Sequence, residues 1–402
     1  MSHHNQRYNS FVPKRLIRLI LAAALLIVPF WLLTSRAPQP ESPASITFAQ
    51  DSSSSGFARA AEAIAFEFPR DHGPHFDFQT EWWYYTGNLQ DLAGNHFGYQ
   101  LTFFRRGLTP GDIRAGAGPA STSALVANQI YFAHFAVTDA QGNTHTFAER
   151  FSRGAGGLSG ASGDPFNIWL EDWNTAALND DGSAVRLQAR EAEMAIDLTL
   201  RAAKPLVAHG DRGLSLKSEE RGNASYYVSF TRMTTQGQIV MEDQTVIVAG
   251  DSWFDHEWST SALGPHGIGW DWFSLQLSDG RELMFFQIRR DDGNIEPVSG
   301  GTLVEKDGAS RRLTADDIRI NVTGVWRSTD TDTQYPAEWQ ISIPSAGIEL
   351  TAKPWIRDQE MRLAFIYWEG AVKIEGVSNG LPITGNGYIE LTGYKGSMQG
   401  VF

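Results

Sequence analysis

The chain has 402 residues, a formal net charge of −13 and no cysteine, and 42% of its residues are hydrophobic. The apolar fraction is that of a globular protein with packed cores, and the length suggests two or three domains. The acidic balance argues against a nucleic-acid partner. The lack of cysteine excludes disulfides, thiolate catalysis, lipoprotein acylation and cysteine-held metal sites.

Residues 1–36 are predicted to be a targeting segment. Residues 1–18 carry four arginine or lysine residues and no acid, and residues 19–35 are uncharged and rich in Leu, Ile and Ala. A positive flank before an apolar span of nearly membrane length predicts a signal anchor, with the remaining chain on the periplasmic side of the inner membrane. A cleaved signal peptide followed by secretion is the alternative.

Residues 37–66 are predicted to be a flexible linker, since most of this stretch is rich in Pro, Ser and Gln. From Phe76 onward, short runs of aromatic and β-branched residues alternate with Gly, Asn and Asp turn signals. No long helical pattern interrupts these runs. The pattern predicts an all-β fold built from sandwiches or barrels.

Three segments of the first half recur in the same order in the second half. The matched pairs are 82–91 with 270–279, 196–199 with 348–351, and 250–256 with 385–391. Three matches in series predict a duplication, with one β domain at 67–260 and another at 261–402. A unit of about 140 residues with up-and-down strands suits a closed barrel of eight or more strands.

Three motifs carry a resemblance to a known family. They are Thr-Glu-Trp-Trp-Tyr-Tyr-Thr-Gly at 80–87, Asp-His-Glu-Trp at 255–258 and Gly-Tyr-Ile-Glu-Leu-Thr-Gly-Tyr at 387–394. With these motifs the chain resembles the AttH family, which is related to bacterial carotenoid 1,2-hydratases. The resemblance implies two tandem lipocalin-like (calycin) antiparallel barrels, a lipid or isoprenoid ligand and, for AttH-type members, an ABC transporter partner.

The hydratase branch of this resemblance implies the addition of water to a terminal carbon–carbon double bond of an acyclic carotene. Its essential residues are a His and a Trp in a His-x-Trp motif, matched here by His256 and Trp258, with a Tyr and an Asp on a later strand. The later strand at 282–288 has neither a Tyr nor an Asp. The resemblance therefore supports the fold more firmly than it supports hydratase activity.

The Trp-Phe-Asp-His-Glu-Trp segment is the strongest candidate site. Strand alternation places His256 and Trp258 on one face, with Asp255 and Glu257 on the other. In the second repeat Leu391 stands where His256 stands in the first, at an apolar, inward position. A polar residue present in only one half is a candidate for function. The alternative is a buried histidine bonded to a backbone carbonyl or to Asp255.

Hydration of an isolated alkene begins with protonation to a tertiary cation, which requires an acid in a dry site. The candidate acids are Asp255, Glu257 and Asp271. Burial among aromatic rings would raise the pKa of such a carboxyl, and His256 would be the base that activates water. The rings that could stabilise the cation are Trp258, Trp270 and Trp272. Core packing is the alternative for each tryptophan.

Further candidate ligand-binding residues lie near the start of each half. They are Glu81, Trp82, Trp83, Tyr85, His134, Trp270 and Trp272. Packing inside the barrel is the alternative for the tryptophans, and Glu81 is expected either to pair with an arginine or to face the pocket. The spacing of Asp71, His72, His75 and Asp77 could bind a metal, but a solvated loop is the stronger expectation. We predict neither a metal nor a cofactor.

Two function hypotheses follow, with a third beside them. The first is an exported protein that binds or modifies a hydrophobic lipid or isoprenoid, in partnership with an envelope ABC transporter. The second is an enzyme of the carotenoid 1,2-hydratase type, a hydro-lyase. Convergence of an acid and His256 on one apolar cavity would favour the enzyme, whereas a His256 bonded only to backbone would favour the binding protein. An interaction module with filled barrels is the third reading.

Overall fold

The computed structural model describes residues 54, 56–108, 110, 128–242 and 244–401. The predicted targeting segment and most of the predicted linker lie outside the described residues. The described end of that linker packs against the first sheet, where Phe57 and Ala60 are buried and Phe66 meets Trp258 edge-on at 5.7 Å. Within the described ranges, no helix is long and apolar enough to cross a membrane.

The chain is all-β, as the sequence predicts, and its strands form two barrel-like antiparallel sheets. The strands of the first sheet are β1 (Thr80–Gln90), β2 (His96–Gly107), β3 (Gln129–Asp139), β4 (Thr144–Arg153), β5 (Ser159–Gly163), β6 (Phe166–Leu170), β7 (Trp173–Ala177), β8 (Ala184–Glu191), β9 (Met194–Ala202), β10 (Val207–Ala208), β11 (Leu214–Leu216), β12 (Ala224–Met241) and β13 (Gln244–Ser259). Their order is β4-β3-β2-β1-β13-β12-β9-β8-β7-β6-β5, and β10 and β11 pair with β12.

The second sheet repeats this scheme with fewer strands. Its strands are β14 (Gly267–Leu277), β15 (Glu282–Arg290), β16 (Gly300–Val304), β17 (Ser310–Thr314), β18 (Arg319–Arg327), β19 (Gln334–Ile343), β20 (Ile348–Pro354), β21 (Glu360–Arg362), β22 (Ile366–Ser378) and β23 (Leu381–Leu391). Their order is β17-β16-β15-β14-β23-β22-β20-β19-β18, and β21 pairs with β22. Short 3-10 helices cover Arg70–His72, Ala315–Asp317 and Pro344–Ala346.

The sequence repeat corresponds to a structural repeat. In the first sheet β1 pairs with β13 so that Tyr84 lies opposite Asp255. In the second sheet β14 pairs with β23 so that Trp272 lies opposite Glu390. The repeated sequence segments align Tyr84 with Trp272 and Asp255 with Glu390, so the two alignments agree with the two strand registers. Asp255 and Glu390 are therefore equivalent positions of the duplicated unit.

Aromatic side chains fill the interior of each sheet. Trp83, Tyr85 and Trp173 are almost completely buried in the core of the first sheet, and Trp339 and Trp368 are buried in the core of the second. Truncating one of these rings to alanine would cost about 3–5 kcal/mol, because the void could collapse only in part. Trp83 and Tyr85, which the sequence offers as ligand contacts, are thus core residues.

A separate apolar cluster joins the outer faces of the two sheets. It contains Tyr84, Tyr227 and Trp253 from the first sheet and Trp272 and Phe286 from the second, among others. Two faces that would otherwise meet water are buried against each other here, and the burial of this aromatic area stabilises the contact between the sheets. The candidate site lies within this contact.

Candidate active site

A cavity of about 80 Å³ lies between the two sheets, with room for several water molecules. Its polar lining includes four carboxyl side chains, those of Asp255, Glu257, Glu369 and Glu390. Its apolar lining includes Trp82, Tyr84, Phe104, Tyr227, Trp270, Trp272, Phe286, Ile288, Phe365 and Tyr367. Each sheet contributes two of the acids, so the cavity has a carboxyl-bearing wall on both sides.

Asp255 is buried on the outer face of β13 and accepts three hydrogen bonds. The donors are the indole nitrogen of Trp253 at 2.6 Å, the Tyr227 hydroxyl at 2.8 Å and the Ser229 hydroxyl. Burial raises the pKa of Asp255 to about 7, since desolvation outweighs the stabilisation of the carboxylate by these donors. This carboxyl therefore exchanges its proton close to neutral pH.

Tyr227 connects Asp255 to the second sheet. Its hydroxyl donates to Asp255 and accepts a hydrogen bond from the indole nitrogen of Trp272 at 3.0 Å. Trp272 also meets Tyr84 edge-on, with ring centroids 5.1 Å apart. The position of the Asp255 carboxyl thus depends on both sheets.

Glu369 on β22 and Glu390 on β23 lie directly opposite each other in the register of the second sheet. Burial raises the pKa of Glu369 to about 7, and burial together with the Glu369 carboxyl raises the pKa of Glu390 well above its usual value. Side chains at opposite positions of neighbouring strands have their Cβ atoms about 5 Å apart. Two carboxylates that close cannot both ionise in a poorly solvated site, so the pair holds a proton at neutral pH.

The two acids of this pair differ in their surroundings. Glu390 accepts a hydrogen bond from the indole nitrogen of Trp270 at 2.8 Å. Neither oxygen of Glu369 has a hydrogen-bond partner of normal length among the described residues, although the hydroxyls of Tyr84 and Tyr367 are near enough to offset part of the effect of burial on its pKa. Among the described residues, Glu369 is therefore the acid of the pair whose oxygens are not engaged by a donor, while Glu390 has the more strongly raised pKa.

Glu257 differs from the other three acids because it has a cationic partner. Lys217 Nζ lies 2.5 Å from a Glu257 oxygen, and the Ser225 hydroxyl also donates to Glu257. Lys217 lies over the rings of Phe286 and Tyr227, at 5.0 and 5.6 Å from their centroids. The charge of Glu257 is thus compensated inside the wall of the cavity.

His256 and Trp258 lie on the opposite face of β13, inside the first sheet, and do not line the cavity. His256 Nε2 donates to Glu81 Oε1 at 2.9 Å, and Trp83 stacks on the His256 ring at 4.9 Å. Burial lowers the pKa of His256 to about 4, which leaves the imidazole neutral. The expected convergence of His256 and an acid occurs in the barrel core and not at the cavity.

Glu81 is the centre of this buried network. Its carboxylate accepts a hydrogen bond from Arg105 Nε at 2.8 Å and one from His75 Nδ1 at 2.8 Å, besides that from His256. Burial alone would raise the pKa of Glu81, but Arg105 and the two histidines outweigh it and hold the pKa well below its usual range. Of the two expectations for Glu81, pairing with an arginine is the one that this geometry fits.

The same network also brings together three side chains that could ligate a metal ion. Ligand atoms of His75, Glu81 and His256 lie within 4.8 Å of one another. Arg105 occupies the second oxygen of Glu81, and both histidines already use their facing nitrogens for hydrogen bonds to the first. The network satisfies its carboxylate without an ion, although a metal could replace the two imidazole protons.

The remaining predicted residues fall into two groups. Trp82, Trp270 and Trp272 line the cavity together with Asp255 and Glu257. Asp271 does not, because it is buried on the other face of β14 against Arg289 Nε at 3.0 Å and the Tyr394 hydroxyl at 3.1 Å. His134 is also absent from the lining, and it contacts the lining residue Tyr367.

Sequence reasoning did not find Glu369, Glu390 or the tyrosines around them. One signal was available, since Glu369 is the single charged residue in the otherwise apolar run Ile366–Val372, and an unpaired acid in a buried strand is seldom structural. The resemblance implies a Tyr and an Asp on a later strand, and the strand at 282–288 has neither. In the structure Tyr367 and Glu369 on β22 supply a tyrosine and an acid to the cavity.

The fold and the site define a class of protein, a lipocalin-like β protein of two barrel-like sheets with an acid-lined cavity between them. The family model described as AttH-like matches residues 59–394. The chain belongs to the AttH-like family.

Solved structures with the same fold include a crystal structure of an AttH protein from Nitrosomonas europaea. It is 31% identical, with a TM-score of 0.73, and the match covers 84% of this chain and all of that one. The crystal structure of kievitone hydratase from Nectria haematococca has a TM-score of 0.62 at 13% identity, covering 84% of this chain and 97% of that one. At this identity the second likeness concerns the fold alone.

A curated relative by sequence is the dehydratase asqC of Emericella nidulans, which is 25% identical over 175 residues. The match covers 42% of this chain and 48% of that protein, so the chain spans about half the length of the curated relative.

Proposed function

We propose that this protein is a hydro-lyase-type enzyme that adds water to, or removes it from, an apolar substrate in the cavity between the sheets. The observation that carries the proposal is the Glu369–Glu390 pair, which keeps a neutral carboxylic acid in an aromatic cavity opposite Asp255. A carboxyl held protonated at neutral pH is the acid that alkene protonation or loss of a hydroxyl requires. The hydratase and dehydratase names of two relatives support the same reaction class.

In the hydration direction, the Glu369 O–H bond breaks and its proton bonds to one carbon of the double bond. The tertiary carbon left behind is cationic, and the faces of Trp82, Trp270 and neighbouring rings stabilise it by about 2 kcal/mol or more each where they are desolvated. Water then bonds to the cation and gives its proton to the Asp255 carboxylate. Dehydration is the same sequence reversed.

The dimensions of the cavity support a substrate that enters by one end. A volume of about 80 Å³ accommodates a small branched group and a water molecule, while the rest of a long ligand would remain outside. The lining offers one cation, Lys217, and Glu257 already neutralises it. We therefore propose a neutral, apolar substrate with a terminal double bond or a tertiary alcohol, as in isoprenoids.

A binding or transfer protein for a hydrophobic lipid or isoprenoid is the second candidate. Aromatic and aliphatic side chains fill the core of each sheet. A hydrophobic ligand would therefore bind in the aromatic cavity between the sheets, which favours this candidate. Export through residues 1–36, attachment to the inner membrane and partnership with an ABC transporter belong to this proposal. A binding protein needs no neutral carboxyl group, which is why the enzyme comes first.

The test uses acyclic isoprenoids with dimethylallyl ends, incubated with the purified protein in ¹⁸O-labelled water and analysed by mass spectrometry. An enzyme gives a product heavier by one labelled water, and Glu369→Gln lowers its rate by about 100-fold or more. Glu349→Gln is the control, because Glu349 is an exposed acid on β20 of the same sheet. Binding without product in the wild type would favour the transfer protein.

A further inference from the structure

A buried histidine links the cavity to the protein surface. His134 on β3 is fully buried, and its two ring nitrogens have different partners. Nδ1 lies 2.8 Å from the Tyr367 hydroxyl, and Nε2 lies 3.0 Å from Glu149 Oε1. The ring therefore bridges a tyrosine of the second sheet and an acid of the first.

The two ends of this bridge differ in their access to solvent. The Glu149 side chain on β4 is 15% exposed, so its carboxyl can exchange protons with water. Tyr367 lines the cavity, and it precedes Glu369 by two residues on the same face of β22. The order from solvent to cavity is thus Glu149, His134, Tyr367 and Glu369.

We propose that Glu149, His134 and Tyr367 form a proton relay between solvent and the Glu369 carboxyl. The proposal rests on the proposed function, in which Glu369 gives a proton to the substrate in every hydration. The acid must regain that proton before the next turnover, and an apolar substrate in the mouth of the cavity would exclude the water that could return it. A side-chain route avoids this obstruction.

Each proton transfer balances along the chain of groups. Glu149, protonated by solvent, gives its proton to Nε2 of His134, and the ring releases the proton on Nδ1 to the Tyr367 oxygen. The Tyr367 O–H proton passes at the same time to the Glu369 carboxylate. One proton leaves solvent, one reaches Glu369, and Tyr367 and His134 end neutral. Asp255 returns the proton taken from water to solvent, so hydration consumes none.

The alternative is that His134 is a satisfied core residue. Its ring packs against Phe104 and Phe365 at 5.1 Å from each centroid, and either role accounts for its burial. The relay, unlike core packing, requires the Tyr367 hydroxyl and the ionisable group of Glu149. Substitutions that remove those two groups but keep the shape of each side chain therefore separate the two roles. We treat the three residues as positioning and relay groups rather than catalytic residues.

The test measures proton exchange at Glu369 directly, with a saturated isoprenoid hydrocarbon bound in the cavity so that water is excluded as it would be by a substrate. The carbonyl stretch of protonated carboxyls is followed by infrared spectroscopy after transfer of the protein into D₂O, and Glu369→Gln identifies the band of Glu369. We expect Tyr367→Phe and Glu149→Gln to slow the deuterium shift of that band by about tenfold or more. Tyr85→Phe is the matched control, because its hydroxyl is equally buried but bonds to Thr175 in the first core.

Three results would overturn the relay. They are unchanged exchange rates in both variants, equal slowing in Tyr85→Phe, and the absence of a protonated band that depends on Glu369. Thermal unfolding of each variant checks that slow exchange is not a change in folding, since Tyr→Phe leaves the ring in place. A failed isoprenoid assay with intact relay behaviour would count against the proposed function alone. Normal turnover with unchanged exchange would count against the relay alone.

Discussion

The indole nitrogen of Trp272 in the second sheet donates a 3.0 Å hydrogen bond to the hydroxyl of Tyr227 in the first. That hydroxyl in turn donates to Asp255 at 2.8 Å. A residue of one half thus fixes the donor that holds the acid of the other half. Since each sheet also brings its own pair of cavity acids, the duplication is used to build one site and not two.

We predict that Tyr227→Phe shifts the pH dependence of turnover to higher pH. The variant loses a donor that stabilises the Asp255 carboxylate, so the pKa of Asp255, about 7 in the wild type, rises further. With Asp255 as the proposed base, the rising limb of the profile of kcat/KM against pH moves in the alkaline direction. The measurement is that profile with the isoprenoid substrate.

Tyr99→Phe is the control for this variant, because Tyr99 is also buried in the first sheet and its hydroxyl bonds to Ser252 at 2.6 Å. It should leave the rising limb in place. A Tyr227→Phe profile with an unmoved rising limb and only a lower maximum would contradict the assignment of Asp255 as the base.

We predict that Glu369→Gln makes the folded protein less sensitive to alkaline pH. The folded-state pKa of Glu369 is raised from 4.5 to about 7, so its stabilising contribution is complete below pH 4.5 and is lost as pH rises towards 7. A neutral glutamine has no such loss. The free energy of unfolding of the variant should therefore rise relative to that of the wild type over this interval, by on the order of 3 kcal/mol.

Urea denaturation at several pH values between 4.5 and 8 measures this difference. The comparison must be made between variant and wild type, because buried His256 and His209 have lowered pKa values and act in the opposite sense below pH 6.5. Both proteins share those histidines, so their effect cancels in the difference. A difference that stays constant with pH would mean that Glu369 is ionised in the folded state.

The fold could be predicted because period-two alternation and the order of three repeated segments can both be recognised in the sequence itself. The registers that align Tyr84 with Trp272 and Asp255 with Glu390 follow from the same repeat. The cavity could not be predicted in this way. It forms where the outer faces of two sheets meet, and no sequence pattern states which outward face is covered by another sheet.

The position of the cavity between the sheets explains why Asp255 and Glu257 line the candidate site while His256 does not. His256 stands out on the inward face because its twin in the second half, Leu391, is apolar, whereas the candidate acid Asp255 has an acidic twin in Glu390. The inward-facing His256 is hydrogen-bonded to Glu81 in the core. Asp255 and Glu390, at equivalent positions of the two halves, both line the cavity between the sheets. Repetition of a functional position is expected when both halves contribute to one site.

We predict that removing residues 1–36 keeps the protein in the cytoplasm. The positive flank and the apolar span are the predicted targeting signal, and residues 37–402 have no comparable basic flank followed by an apolar span. The measurement is fractionation of cells that express the full chain or the truncated chain, with a cytoplasmic and a periplasmic marker. Equal recovery of both chains in the periplasm would contradict this prediction.

We predict that His256→Phe lowers stability more than it lowers turnover. His256 does not line the cavity, and its loss removes one hydrogen bond from the buried Glu81 carboxylate, a cost of about 1–3 kcal/mol. Glu81→Gln should cost more, about 3–5 kcal/mol, because it leaves the guanidinium of Arg105 buried without a charged partner. Chemical denaturation measures both costs.

Turnover is then compared per folded molecule, at a temperature well below the unfolding midpoint of each variant. Glu369→Gln is the reference, since it should be inactive yet stable, while His256→Phe should be active yet less stable. The two variants therefore separate the buried network inside the first sheet from the acids of the cavity. An inactive His256→Phe with wild-type stability would return His256 to the reaction and would require the cavity to extend through β13.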